Sequence, residues 1–388
     1  MTVDARDIRA EVVIAGGGVA ALEALIALHD LAPRRVHVTL VAPGPDFVYR
    51  PLKIGEPFSR QSRTRLPLAR AASNFGATYV ADTAESVDAA ARELRCGSGR
   101  LLPYDSLIVA LGAHAVAAFE HAETIGEDAA DAALHGILAD LEHGYVKRLA
   151  FVAPAAATWS LPLYELALLI ADDAWSMGID DAELTVVSAE ARPLGLFGPE
   201  AATTLERLLE RDGIEFIGAS RADVRRGELV VAPGERRVTV DRTFALPLLR
   251  GPGLPGVPAD EHGFIPVDLH GRVAGIDGVF AAGDVTTFPV KQGGLAAQQA
   301  EAAAEAVAAR HGWEREPEPF RPVLRGKLMS AGDDLYLSHR IAGGGGDGIA
   351  APRALWWPPT KIAARRLAPY LFGVEAAERI GRAGARSS

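Results

Sequence analysis

The sequence predicts an α/β fold of the doubly wound class, and three observations predict it. Its first 42 residues read strand, glycine turn, helix, strand: Val12 to Ala15, Gly16-Gly17-Gly18, an alanine- and leucine-rich stretch to Asp30, then Val36 to Val41. The same rhythm restarts near Arg148, with a strand at Leu149 to Ala153, a helix from about Leu163 to Trp175 and a strand at Leu184 to Ser188. Finally, 388 residues with 49% hydrophobic and 23% charged positions suffice for a large core divided over two or three domains.

Between these modules the elements follow from local chemistry. Pro43 to Pro67 reads as a long irregular stretch, Thr78 to Val80 as a strand, Cys96 to Arg100 as a glycine-containing hairpin and Leu107 to Ala110 as a buried strand. After a hairpin-rich zone before Asp241, proline and glycine punctuate the chain through Pro258. Val279 to Ala282 is then an apolar strand, and an alanine-rich helix runs from about Leu295 to Arg310. Beyond Pro317 stands an aromatic and basic segment, Trp356 to Phe372. It reads either as an interfacial helix or as a lid or subunit contact of a homodimer, and its tandem tryptophan is expected to be covered.

Composition excludes several functions. Forty Lys plus Arg against 50 Asp plus Glu give a formal charge of −10 with no basic block, which argues against a nucleic-acid partner. The single cysteine, Cys96, cannot form an intramolecular disulfide, a CxxC redox pair or a cysteine zinc site, and it reads as a structural or exposed thiol. No metal site is expected either: the ten histidines include no HxH, HxxH or HExxH, and His114, His121, His135 and His143 read as helix-surface residues. Met1 to Ala10 does not resemble a secretory leader, and Leu161 to Ala171, the longest apolar run, falls short of the ~20 residues that span a bilayer. The expectation is a cytoplasmic protein.

Gly16-Gly17-Gly18-Val19-Ala20-Ala21 is a GxGxxA turn between a strand and a helix. Gly16 suits the tight turn, Gly18 lets the backbone approach a pyrophosphate, and Ala21 allows close helix packing. The acid expected at the end of the second strand is missing, since Val41 is followed by Ala42 and Pro43. Downstream, Val279 to Ala282 ends in Gly283-Asp284, where a short carboxylate could reach a sugar or ribityl hydroxyl.

Together, Gly16 to Ala21, Tyr104 to Ala113, Gly263 to Asp268 and Val279 to Asp284 resemble, in order and spacing, the two-dinucleotide-domain flavoproteins related to pyridine nucleotide-disulfide oxidoreductases. Pro289-Val290-Lys291-Gln292-Gly293 is similar to a region of sulfide:quinone oxidoreductases and flavocytochrome c sulfide dehydrogenases, while Leu111 departs from the usual threonine. The resemblance implies two Rossmann-like domains. The FAD-binding one comprises 1–113 and 245–315 and is split by an NAD(P)-binding-like domain at 114–244, with a C-terminal cap at 316–388. It further implies that Gly16, Gly18, Val19, Ala20 and Ala21 line the FAD pyrophosphate, that Arg50 and Pro51 lie beside the isoalloxazine, and that Ala110 and Gly112 adjoin the cofactor. Gly283 and Asp284 would meet the ribityl chain, Gly294 and Leu295 would adjoin the cofactor, Lys291 or the N-terminus of the Leu295 helix would stabilise charge at the N1–O2 edge, Lys53 would reach the flavin and Glu165 would approach its edge. Lys53 and Lys291 read equally as solvated lysines, and Glu165 as a helix-face carboxylate.

With one cysteine, the sulfur chemistry of the resembled sulfide-oxidising proteins is disfavoured. The second module's turn, Val152 to Pro162, contains no glycine and carries Trp159, which opposes ordinary NAD(P)H binding, whereas Glu190 stands where a ribose-binding acid is expected. The leading expectation is an FAD-dependent oxidoreductase passing two electrons from an unidentified donor to a quinone or other small acceptor, peripheral at the inner face of the membrane if the quinone is lipid-borne. Its rivals are an NAD(P)H dehydrogenase like the type II NADH dehydrogenases and a non-catalytic flavin-binding sensor or partner-binding module.

Overall fold

Alternating apolar strands and alanine-rich helices assemble into two parallel sheets. The computed structural model describes residues 9–58, 65–126, 128–330, 332, 334–341 and 348–385, without the side chains of 52, 53, 128, 129 and 378–385. Strands β1 (Ala10–Ala15), β2 (Val36–Ala42), β3 (Thr78–Ala81) and β4 (Ser106–Val109) come first. The chain then builds a second sheet from β5 (Glu123–Thr124), β6 (Arg148–Val152), β7 (Glu183–Val187), β8 (Ile214–Ile217) and β9 (Arg242–Ala245). It returns to the first with β10 (Val279–Ala281). The sheet orders are β10-β4-β1-β2-β3 and β5-β9-β6-β7-β8, with every pairing parallel. In each, three consecutive strands run outward from an inner strand, and the remaining two lie on its other side. The crevice beyond the carboxyl ends at that reversal is where doubly wound sheets hold ligands. An antiparallel sheet of β11 (Val323–Leu328), β12 (Leu335–Arg340) and β13 (Ile349–Ala351) follows.

Seven helices connect or cover these strands among the described residues: α1 (Val19–Leu31), α2 (Leu68–Asn74), α3 (Asp128–Glu142), α4 (Leu161–Ser176), α5 (Pro199–Arg211), α6 (Gly293–Arg310) and α7 (Leu367–Ala385). From Ala20 to Leu28, α1 is buried on every side, because the first sheet and α6 cover it. Small side chains make that fit: Ala20, Ala24 and Ala27 of α1 join the same core as Ala296, Ala300 and Ala303 of α6. Helix α4 is likewise sunk in the core of the second sheet, and only its end surfaces, with Trp175 79% exposed.

Several expectations need correction. His114 lies in a short strand, His114–Val116, and His121 in a turn, so neither is on a helix. Residues 356–366 are not helical; α7 begins only at Leu367, because Pro358 and Pro359 remove backbone donors from the segment before it. The tandem tryptophan divides its environments. Trp356 is half-buried against Tyr336, while Trp357 is 75% exposed and meets only the edge of half-exposed Phe372 among ring contacts. No described helix is long and apolar enough to cross a membrane.

Candidate cofactor and substrate site

The glycine turn after β1 is built by close backbone approach. Gly16 has φ +134°, and a Cβ there would stand 2.1 Å from the Ala110 carbonyl oxygen, so a side chain is excluded twice over. Its N–H donates to the Val41 carbonyl (2.8 Å), and the Ala110 N–H donates to Ala15 (2.7 Å), which binds the turn to the Ala110 to Gly112 motif. Gly18 is exposed at the N-cap of α1, with no side-chain cap and nothing within 4 Å of a Cβ built on it. The first turn of α1 carries no acidic side chain and its N-cap offers no side-chain bond to the first amides, an arrangement suited to a phosphate.

A second close approach brings in the downstream motif. Gly283 has φ +84°, and a Cβ there would lie 2.9 Å from Cβ of Ala20 and 3.3 Å from Cβ of Ala296, which puts the Gly-Asp turn against the first turns of both α1 and α6. Gln299 Oε1 accepts from the Gly283 N–H (2.8 Å), and the Ile265 N–H donates to Val285 (2.9 Å), joining the Gly263 to Asp268 motif. Segments far apart in sequence thus converge on the carboxyl-terminal edge of the first sheet. The half-buried Asp284 carboxylate makes no hydrogen bond to the protein among the described residues, and burial raises its pKa against the pull of Lys291 and Arg50. A half-buried acceptor left without a protein donor in this way suits a hydroxyl-bearing ligand.

Asp284 opens onto a cavity of about 890 Å³ that also receives Arg50 and Pro51, Lys291 and Gly293, the turn Ala156 to Trp159, and residues 246–250. Those last two groups lie beyond β6 and β9, the strands flanking the reversal point of the second sheet, so one cavity spans the ligand edges of both sheets. Lys291 is half-buried rather than solvated. Its ammonium donates to the Thr286 carbonyl and sits 4.0 Å from the Phe264 ring centroid; desolvation pushes its pKa down to about 8, opposed by Asp284 and Asp260. The Leu295 amide donates to Gln292 Oε1 (2.9 Å), which caps the N-terminus of α6.

Glu165 is 1% exposed, not a helix-face carboxylate. Both of its oxygens accept from Lys361 Nζ, and Oε1 accepts from the Met329 N–H (2.8 Å). Burial raises its pKa, and Lys361 holds it back. Both residues line the cavity, so α4 is joined there to the C-terminal region. In the second-sheet turn, Trp159 packs on Phe197 with centroids 5.8 Å apart. Glu190 accepts from the Tyr164 hydroxyl (2.7 Å) and from Ser188 Oγ (3.3 Å).

The cavity therefore collects Arg50, Pro51, Glu165, Asp284 and Lys291, whereas Gly16, Gly18, Val19, Ala20, Ala21, Ala110, Gly112, Gly283, Gly294 and Leu295 are not in its wall. The Lys53 side chain lies outside the described residues. Sequence reasoning missed Lys361, because its partner is 196 positions away and its neighbours Arg365 and Arg366 suggest a surface cluster. Cys96 is buried, with its thiol pKa raised by burial, and it does not line the cavity. No group of three or more metal-ligating side chains stands together among the described residues.

Residues 165–309 match the family model described as pyridine nucleotide-disulphide oxidoreductase. Among solved structures, the sulfide:quinone oxidoreductase of the hyperthermophilic bacterium Aquifex aeolicus aligns with a TM-score of 0.80 at 20% identity, over 88% of this chain and 86% of that one. The NAD-dependent persulfide reductase of A. fulgidus gives 0.61 at 17% identity over 84% and 64%, and NDH2 of Plasmodium falciparum gives 0.58 at 15% over 72% and 64%. At these identities the likeness is one of fold, and this chain spans less than two thirds of the latter two proteins.

Proposed function

We propose that the chain, whose residues 165–309 match the pyridine nucleotide-disulphide oxidoreductase model, is an FAD-dependent oxidoreductase of that superfamily that passes two electrons from a small donor to a quinone or other small acceptor. The observation that carries the reading is the convergence of the open Gly18 turn, the hydrogen-bond-free Asp284 carboxylate and Lys291 at one edge of the first sheet. Together they offer amides for a pyrophosphate, an acceptor for ribityl hydroxyls and a cation beside a ring. Gly16, Gly18, Val19, Ala20 and Ala21 would hold the pyrophosphate, Gly283 and Asp284 the ribityl chain, and Arg50, Pro51, Ala110 and Gly112 the neighbourhood of the ring.

FAD, when bound, supplies the two-electron chemistry. The protein's part is to bind, shield and supply charge. The Lys291 ammonium, confined by Phe264 and Thr286, favours negative charge on a neighbouring ligand atom at neutral pH. The Glu165–Lys361 pair presents a fixed proton donor and acceptor to whatever fills the cavity beside them. The apolar walls, among them Ile54, Leu249 and Phe288, exclude water and suit a flat, weakly polar acceptor.

A second reading, donation by NAD(P)H, has one observation in its favour: the reversal-point crevice of the second sheet opens into the same cavity. Against it stand the glycine-free turn and the engagement of Glu190 by Tyr164. Anaerobic addition of NADH or NADPH to the flavin-loaded protein separates the two. Bleaching within seconds would make the nicotinamide reading primary; persistent flavin bands, bleached by another reductant and restored by a quinone, support the leading one.

A further inference from the structure

The second sheet reaches the cavity where a doubly wound sheet holds its ligand, but it offers an apolar surface there. Strands β5, β6 and β9 run parallel, and residues just past their carboxyl ends, Ile125, Ala156 to Trp159 and Leu246 to Leu249, all line the cavity. The turn after β6 has little to give a phosphate. Ala157 donates its N–H to the Pro154 carbonyl (2.8 Å), Leu163 donates to Ser160 (2.9 Å), and Pro162 has no N–H, so these backbone positions at the start of α4 offer no free donor. No glycine stands in this turn, in contrast to Gly16 to Gly18 after β1.

In place of free amides the turn presents an aromatic ring. Trp159 is half-buried, lines the cavity and packs on Phe197, which is 0% exposed, with ring centroids 5.8 Å apart and 60° between the planes. Phe197 is itself enclosed. A Cβ on Gly326 of β11 would come within 2.7 Å of its ring, and one on Gly348 within 1.7 Å of its carbonyl oxygen, so the C-terminal sheet closes tightly around it. The indole thus rests on a fixed support before any ligand arrives. Between residues 115 and 249 the described cavity wall carries charged or hydroxyl side chains only at Asp131, Thr158 and Glu165, and Glu165 is already bound by Lys361. Lys361 and Ile362 belong to the C-terminal strap, residues 361–371, which forms another part of the wall; there the Ile362 N–H donates to the buried Tyr49 hydroxyl (2.6 Å).

We propose that the carboxyl-end crevice of the second sheet, with Trp159 as its platform, binds the ring of a neutral quinone acceptor. The inference rests on the oxidoreductase reading above and gives its acceptor a place. A quinone carries no phosphate for the missing donors to meet, and its flat ring can stack on an indole against apolar walls. In the step the site serves, the fully reduced flavin gives up two electrons and two protons, and the quinone takes up both and leaves as the hydroquinone.

Equilibrium dialysis of menadione, a naphthoquinone without a long tail, against the full-length protein loaded with FAD tests the site without turnover. Trp159→Ala should raise the dissociation constant about tenfold or more, and Trp159→Phe, which keeps a ring, by less than about threefold. Trp175→Ala, at the exposed end of α4, should leave it unchanged. An affinity that Trp159→Ala does not alter overturns the proposal, as does an unmodified protein that binds no menadione. Binding that depends on Trp159 in this way, without reoxidation of the reduced flavin by menadione, would keep the site and defeat the oxidoreductase reading. Reoxidation by menadione with an affinity indifferent to Trp159 would do the reverse. If Trp159→Ala fails to fold, an azidoquinone photolabel on the unmodified protein decides instead. Adducts within residues 125–162 or 246–249 that excess menadione suppresses support the site, and adducts confined to other residues, or not suppressed, refute it.

Discussion

At the level of single residues, two lysines in the cavity behave in opposite ways. Lys361 is buried beside its carboxylate partner, and removing it leaves Glu165 charged and unpaired. Lys361→Met should therefore cost about 3–5 kcal/mol of stability, and the double variant Glu165→Leu/Lys361→Met should cost less than Lys361→Met alone, as chemical denaturation would show. Among the described residues Lys291 has no carboxylate within salt-bridge distance, and its pKa falls from 10.5 to about 8. Its native form binds fewer protons than its unfolded form between those values, so this group's contribution to stability rises with pH across that window. Its ammonium is lost over the same range. The rate of flavin reoxidation by a quinone should decline above about pH 8, and Lys291→Met should be slower at pH 7 and lack that decline. The two differ in how far the sequence reveals them. Lys291 is identifiable there because it follows the Gly-Asp strand end at short range, whereas the role of Lys361 depends on a fold that brings α4 beside the C-terminal segment.

Elements carry the cofactor argument, and there the legible part of the sequence was the turns. The strand-turn-helix order at Gly16 to Gly18 is a local signal, since a positive φ and a missing Cβ are properties of the residues themselves. Two substitutions separate the roles of these glycines. Gly16→Ala places a methyl 2.1 Å from a carbonyl oxygen and should lower both the melting temperature and FAD content. Gly18→Ala meets open space in the protein alone and should leave the flavin-free melting temperature nearly unchanged, while reducing FAD affinity tenfold or more. Residues 356–366 were not legible. Aromatic and basic residues at close spacing suggest an amphipathic helix, but the two prolines and the long-range bonds of Lys361 and Ile362 hold the segment in an irregular path that puts these two residues in the cavity wall. Burial of both tryptophans was expected from hydrophobicity alone, and one of them, Trp357, nevertheless faces solvent.

Across the whole molecule, the return of β10 to the first sheet makes the site possible. It brings Asp284 and α6 beside a turn more than 250 positions earlier, and the second sheet inserted between them closes the far side of the cavity. Sheet class and modularity were readable from periodicity, which is set by local sequence. The choice of electron donor was not, because it depends on the shape of a cavity shared by both sheets and the C-terminal strap. The account's central claim is that this convergence binds FAD for two-electron transfer, and an anaerobic visible spectrum of the purified protein, before and after NADH, NADPH, a chemical reductant and then a quinone, tests it most directly. The account predicts flavin bands that persist with both nicotinamides, bleach with the reductant and return with the quinone. A protein that shows no flavin bands, even after incubation with FAD, would contradict it.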